Sequence, residues 1–155
     1  MGGDNAPDEI VKGCLEALDE SGKFEIELLG NRAEIERCLG KGNPDPSRIV
    51  ITETFDEITN FDKPTEAVRR KLNSSIVVGM KKIKAQSGQA LISAGSTGAL
   101  LAGSLLIAGR MKGVVRPALA PIVPSKKGQA MIIDAGMNTQ IKPINYLQFG
   151  IMGTE

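Results

Sequence analysis

Short apolar runs of strand length alternate along this chain with apolar-periodic runs of helix length. That alternation restricts the fold more than any single motif does. Phe24 to Leu29 sets Phe24, Ile26 and Leu28 at strand spacing, and Arg48 to Thr52 and Gln89 to Ser93 read as further strands. Gln129 to Asp134 reads as a buried one. Between them lie helical patterns. The first opens at Pro7, repeats Ile10, Val11, Cys14, Leu15 and Leu18, and stops at Gly22. The second is capped by Asn31 and closed by Gly40. A short one falls near Thr65 to Lys71, and longer ones span Ser74 to Gln86 and Thr97 to Arg110. The last opens at Pro143 and runs through Tyr146, Leu147 and Phe149. Asn43-Pro44-Asp45-Pro46 is a turn. Arg116 to Pro124 is ambiguous, because its apolar residues suit a strand while Pro117, Pro121 and Pro124 oppose a central one. The expected fold class is α/β, a three-layer α/β/α arrangement with a largely parallel sheet. A chain of 155 residues can bury one core, so a single α/β domain over 1–155 is expected.

Composition removes several kinds of chemistry. The chain has no histidine, which excludes Ser-His-Asp and Cys-His catalysis and the His-Glu-x-x-His zinc motif from its own residues. No metal ligands and no cofactor are expected. Its two cysteines, Cys14 and Cys38, each fall inside a helical apolar pattern, which argues for a reducing cytosol over a disulfide framework. The start of the chain is acidic and turn-rich, unlike a secretory signal. The most apolar stretch, Gly98 to Gly109, contains Ser104 and is shorter than the ~18 residues a membrane span needs.

The net charge of +1 conceals a polarised chain. Residues 1–62 carry 6 basic and 15 acidic groups, whereas residues 63–155 carry 13 basic and 3 acidic ones. The basic segment favours anionic partners by steering. Nucleic acid is not the expected one, since the chain has one Tyr, four Phe and no Trp to stack on bases. A small anion or an acidic protein fits better.

Two turns sit in that basic segment. In Ser93-Ala94-Gly95-Ser96-Thr97-Gly98, a strand-like run gives way to a helix-like one. Such a turn aims backbone N–H groups and the helix dipole at an anion. Ser93, Ser96 and Thr97 add hydroxyls, while Gly95 and Gly98 let a ligand approach closely. The same residues would serve equally as the N-cap of a core helix. The second turn, Asp134-Ala135-Gly136-Met137-Asn138, follows the Gln129 strand. If both strands belong to one parallel sheet, both turns lie beyond its C-terminal edge, where α/β folds bind ligands. Asp134, one of three acidic residues after position 62, is expected to be ionised in its basic surroundings. It serves either as a salt-bridge partner for Arg116 or Lys142 or as an anchor holding Asn138 or Lys142 toward a ligand. Arg69-Arg70-Lys71 is either a solvated helix face or a clamp on phosphate or an acidic carrier. No Gly-x-Gly-x-x-Gly with a downstream ribose acid appears, so a nicotinamide-dependent dehydrogenase is disfavoured.

These motifs, taken in order, are familiar. Met1 to Pro7, Ala67 to Lys71 with Asn73-Ser74-Ser75, Ser93 to Gly103, Gly109 to Gly113 and Arg116 to Pro121 resemble the PlsX-type phosphate acyltransferases of bacterial phospholipid synthesis. Asp134-x-Gly136-x-Asn138, Lys142-Pro143, Leu147-Gln148-Phe149 and Met152-Gly153 complete the resemblance over the whole chain. It implies transfer of a fatty acyl group from acyl carrier protein to inorganic phosphate. It also implies a homodimer, a cytoplasmic location with peripheral association at the inner membrane face, and a fold related to isocitrate and isopropylmalate dehydrogenases and to phosphotransacetylase. Asn138, Lys142 and Asp134 become the catalytic candidates. Ser93, Gly95, Ser96, Thr97 and Gly98, with Arg69, Arg70 and Asp4, become the substrate-binding ones. Three positions depart from the family's usual residues: Ser96 stands for Asn, Gln140 for an acidic residue and Met137 for Ala. Family members carry a strand before Met-Gly-Gly-Asp and continue further, so the chain is expected to be an incomplete N-terminal portion of a longer protein. Two alternatives remain: a fragment that binds carrier or phosphate without catalysis, and a phosphotransacetylase-like enzyme using coenzyme A.

Overall fold

In the computed structural model, which describes residues 2–40, 45–136, 138 and 140–154, the chain divides into two compact units, Met1–Gly109 and Arg110–Glu155. The order in the first unit is α1 (Asp8–Glu20), β1 (Ile26–Gly30), α2 (Arg32–Leu39), β2 (Ile49–Glu53), α3 (Pro64–Arg70), α4 (Ser75–Lys84) and α5 (Thr97–Gly103). The second unit holds β3 (Ile122–Ser125), β4 (Gly128–Met131) and α6 (Pro143–Met152). The class is mixed α/β. Asn43, Pro44 and Met137 lie outside the described residues.

In the first unit β1 and β2 pair in parallel, from Ile26 opposite Ile49 to Gly30 opposite Glu53, with α2 as the crossover. Alternation along β1 sends adjacent side chains to opposite faces. Leu28 joins Val11 of α1 and Ile35 and Cys38 of α2 in one apolar cluster. Leu29 turns the other way, toward α4, where a Cβ built on Gly79 would come within 3.1 Å of its Cδ1. Helices therefore cover both faces of the two-stranded sheet. Glu27, on the same face as Leu29, pairs with Lys82 of α4 at 2.7 Å and accepts a hydrogen bond from Thr52.

Local chemistry sets the helix ends. The Asn31 side chain accepts from Glu34 N–H, as expected of an N-cap, and Pro64 occupies the first turn of α3. Ser74 is 1 % exposed; its hydroxyl donates to Lys71 O and accepts from Val77 N–H. Arg48, just ahead of β2, donates from its guanidinium to the carbonyls of Leu18, Ser21 and Phe24. One side chain thus fastens the end of α1 and the approach to β1 to the start of β2. A second core joins Val68 of α3, Ile76, Val77 and Met80 of α4, and Ala99 and Ala102 of α5. After Gly103 the helix continues as a π-turn, Ser104–Ala108.

Two expected strands are corrected. Residues 89–93 join no ladder among the described residues. Leu91 packs on the second core, but Ile92 is 95 % exposed, and no neighbouring strand supplies pairing groups. Residues 129–134 do not form a buried parallel strand. β4 pairs antiparallel with β3, and all four of its residues are exposed, because a two-stranded ribbon covers neither of its own faces. Pro124 fits within β3 because both strands of such a ribbon are edges. Beyond the hairpin the two segments stay together irregularly, with Ile132 N–H donating to Pro121 O and Ala135 N–H to Leu119 O. Among the described residues no helix is long and apolar enough to cross a membrane.

One network in the first unit makes stability depend on acid. Lys71 Nζ donates to Asp62 at 2.8 Å and to Glu57 O at 2.7 Å, and Thr59 N–H also reaches Asp62. The Lys71 ammonium first, and the Thr59 N–H second, hold the Asp62 carboxyl at about 2, below its usual 3.8. A carboxyl whose folded pKa is depressed stabilises the fold above its unfolded pKa of about 3.9 and loses that contribution as the pH falls toward the folded value. Asp62→Asn should therefore flatten the fall in melting temperature between about pH 4 and pH 2. Identical acid profiles for the variant and the parent would remove Asp62 from the explanation.

Candidate functional site

The expected phosphate turn lies in the first unit. Ser93 Oγ accepts from Gly95 N–H at 3.2 Å, and Ser96 Oγ caps α5 by accepting from Ala99 N–H at 3.4 Å. Each hydroxyl keeps its own proton to donate. The N–H groups of Thr97 and Gly98 fall in the first turn of α5, where a helix offers no internal acceptor. Thr97 is exposed and Ser96 is buried. Gly98 has a second role that its sequence context does not reveal. A Cβ there would lie 2.7 Å from Pro64 Cγ, so the bare backbone sets how closely α3 and α5 approach.

The turn is backed by the front of the chain. Gly2 and Gly3 hold φ of +108° and +111°, which side chains rarely adopt. A Cβ on Gly2 would sit 3.3 Å from Gly95 Cα, and one on Gly3 would sit 3.3 Å from Ala94. Gly2 and Gly3 and the Ser93 turn are thus brought together, a pairing sequence reading did not anticipate. Its signal was two adjacent glycines facing a Gly-containing turn distant in sequence. Asp4 is exposed on this loop. Arg69 and Arg70 stand exposed in the last turn of α3, where positive charge suits the carbonyl end of a helix.

The Asp134 group lies in the second unit. Asp134 Oδ2 accepts from the backbone N–H and from Nδ2 of Asn138, both at 2.9 Å, and Oδ1 accepts from Leu119 N–H at 3.3 Å. Asn138 Nδ2 also donates to Pro117 O at 3.0 Å, and Arg116 donates to Asn138 Oδ1 at 3.3 Å. The carboxylate therefore fixes Asn138 in orientation. Lys142 is exposed at the start of α6, and its backbone N–H is held by Asn145 Oδ1 at 2.8 Å. Asp134 and Asn138 border a cleft of about 440 Å³ whose other walls include Ile133, Tyr146, Phe149 and Gly150. None of those wall residues was read from the sequence as a site residue, although Tyr146 and Phe149 were placed on the last helix and, with Gly150, share one of its faces by their spacing. Among the described residues no cluster of acidic or cysteine side chains is placed to hold a metal ion.

Comparison with known proteins decides the family. The profile described as "Fatty acid synthesis protein" matches residues 1–155. The chain belongs to that family. A protein named phosphate acyltransferase from Acetivibrio thermocellus is 52% identical over 154 residues, covering 99% of this chain and 45% of that protein. Proteins of the same name from Alkaliphilus oremlandii and Clostridium tetani are 49% and 46% identical, each with 99% of this chain and 46% of the relative aligned. The chain thus spans a little under half the length of these family members.

Proposed function

We propose that the chain is the part of a phosphate acyltransferase that holds the reacting groups, moving a fatty acyl unit from acyl carrier protein to inorganic phosphate. The names of the relatives support the reaction class. The observation that carries the reading is the Asp134–Asn138 pair at the edge of a cleft that also exposes Ile133, Tyr146 and Phe149. An acyl thioester presents the matching combination of a polar carbonyl and an apolar chain. In the reaction a phosphate oxygen attacks the thioester carbonyl. A C–O bond forms, the C–S bond breaks, and the carrier leaves as its thiol after taking up a proton. Orthophosphate is already ionised at neutral pH, so no histidine base is required. What the protein must supply is orientation and donors for developing negative charge.

In this reading Asp134 positions Asn138, and the exposed Lys142 neutralises charge. Ser93, Gly95, Ser96, Thr97 and Gly98 cradle phosphate through hydroxyl and N–H donors. Asp4 shapes the loop behind them, and Arg69 and Arg70 attract the anionic partner. The reaction uses neither cofactor nor metal. The reading extends to a cytoplasmic homodimer that touches the inner membrane face peripherally. It also extends to a complete three-layer fold related to isocitrate dehydrogenase and phosphotransacetylase.

A second reading, binding without turnover, is favoured by one observation. Both hydrogens of Asn138 Nδ2 are already directed at Asp134 and Pro117, leaving none for an oxyanion. One assay separates the two. Acyl carrier protein thioester is mixed with the chain, and with a full-length relative, over a phosphate titration. Thiol release that rises with phosphate supports the transferase. Carrier binding without release supports the second reading, and release that ignores phosphate rejects the first. Replacing the carrier with coenzyme A tests a phosphotransacetylase-like reaction.

A further inference from the structure

Residues 110–155, the second unit, carry six basic and two acidic groups. Such a field draws anions toward it. Asn138 has no hydrogen left to meet one, since its backbone N–H and both Nδ2 hydrogens are already donated. Its neighbour has. The Arg116 guanidinium donates from one nitrogen to Asn138 Oδ1 at 3.3 Å, and among the described residues that is the one hydrogen bond its side chain makes. A guanidinium carries five N–H donors, so four remain. Arg116 is exposed, yet the backbone on both sides of it is tied down. Ahead of it, Val115 N–H donates to Gln148 Oε1 at 2.9 Å, Gln148 Nε2 donates to Gly113 O at 2.6 Å, and Arg110 donates to Val115 O. After it, Pro117 O accepts from Asn138 Nδ2 at 3.0 Å, and Leu119 N–H donates to Asp134 at 3.3 Å. Ordering such a loop costs backbone entropy, and Val115, Arg116 and Leu119 all stay exposed, so burial does not offset it. What the ties achieve is a planar cation held at a fixed place and angle. That is the form in which arginine grips two phosphoryl oxygens at once.

We propose that Arg116 is a phosphoryl-oxyanion site of the second unit, with Asn138 orienting its guanidinium and Gln148 fixing the loop that carries it. The site stands on this geometry; its part in acyl transfer rests on the acyltransferase reading. Two sources offer the same oxyanion, free orthophosphate and the phosphate ester of a pantetheine arm. Orthophosphate and phosphopantetheine are therefore titrated separately, at constant ionic strength, into the isotope-labelled 155-residue chain. The amide signals of Val115 and Asn138 and the Arg116 Nε–H signal should shift and saturate. Arg116→Gln should weaken binding by about tenfold or more. Arg116→Lys, which keeps the charge without the fork, should recover only part of that loss. Gln148→Ala keeps the guanidinium but frees the loop, and should weaken binding at unchanged charge. Saturable shifts with one probe alone name the source, and shifts with both mean that the site reads the phosphoryl group itself. No saturable shift around Arg116 with either probe, or a lysine variant that binds as tightly as the parent, would overturn the proposal. Unchanged affinity in Gln148→Ala would overturn the part given to that residue. Signals of Gly95 and Thr97 in the same spectra report on the first unit separately. Orthophosphate that shifts those and not Arg116 rejects this site and leaves the transferase reading standing. Binding at Arg116 without phosphate-dependent turnover upholds the site and rejects the reaction.

Discussion

Asp134→Ala should loosen the segment from Leu119 to Asn138 more than any other single change in the second unit. The carboxylate accepts from Leu119 N–H and from both nitrogens of Asn138, and alanine leaves all three donors without that acceptor. Hydrogen bonds to a charged group contribute about 1.5–3 kcal/mol each when buried. This group is half-buried, so the expected total loss is roughly 2–3 kcal/mol. Amide hydrogen exchange at Leu119 and Asn138 should accelerate, while exchange in β1 and β2 should stay as it was. Asp134→Asn keeps one acceptor and should fall between the two. If the function proposed above holds, phosphate-dependent turnover disappears in Asp134→Ala and is partly retained in Asp134→Asn. Unaltered exchange at both amides in the alanine variant would show that the carboxylate does not hold the loop.

Gly98→Val should destabilise the first unit by about 1–3 kcal/mol, the ordinary range for overpacking a close contact. The obstacle is the Pro64 ring, 2.7 Å from where the Cβ would lie, and a ring cannot swing aside as a leucine can. Gly98→Ala should cost less, because alanine recovers about 1 kcal/mol of helix propensity. A double-mutant cycle with Pro64→Ala separates packing from ligand contact. Trimming the ring should restore the stability lost at position 98. If phosphate affinity returns as well, the glycine matters for packing alone. If stability returns and affinity does not, the backbone at 98 lies against the anion. A melting midpoint that Pro64→Ala fails to raise would show that the clash is elsewhere.

Locally encoded features were legible. Asn31 caps α2 and Pro143 opens α6 as read from the sequence, whereas Pro64 at the start of α3 and the Ser74 cap of α4 are equally local signals that the helix patterns alone did not single out. Non-local ones were not. An apolar run such as Gln89 to Ser93 carries its own preference for extension but says nothing of what will pair with it, and among the described residues no ladder includes it. Gln129 to Asp134 has the same apolar character, yet its partner is the proline-bearing Ile122 strand, reached through a short turn. At the site, Asp134 and Asn138 stood out by residue type and spacing, as did Arg116 nearby. That Pro117 and Leu119 would share the network could not be read, because both contribute backbone atoms, which every residue possesses. The steric duty of Gly98 depends on a ring far away in sequence and leaves no trace in its own neighbourhood.

The seating of Gly2 and Gly3 against Ala94 and Gly95 has a practical consequence. Any group attached at Gly2 or Gly3 would press on the Ser93 turn, since a Cβ at either position already lies 3.3 Å from Gly95 or Ala94. A reporter belongs instead in the solvent-facing Gly22–Lys23 connection, between α1 and β1.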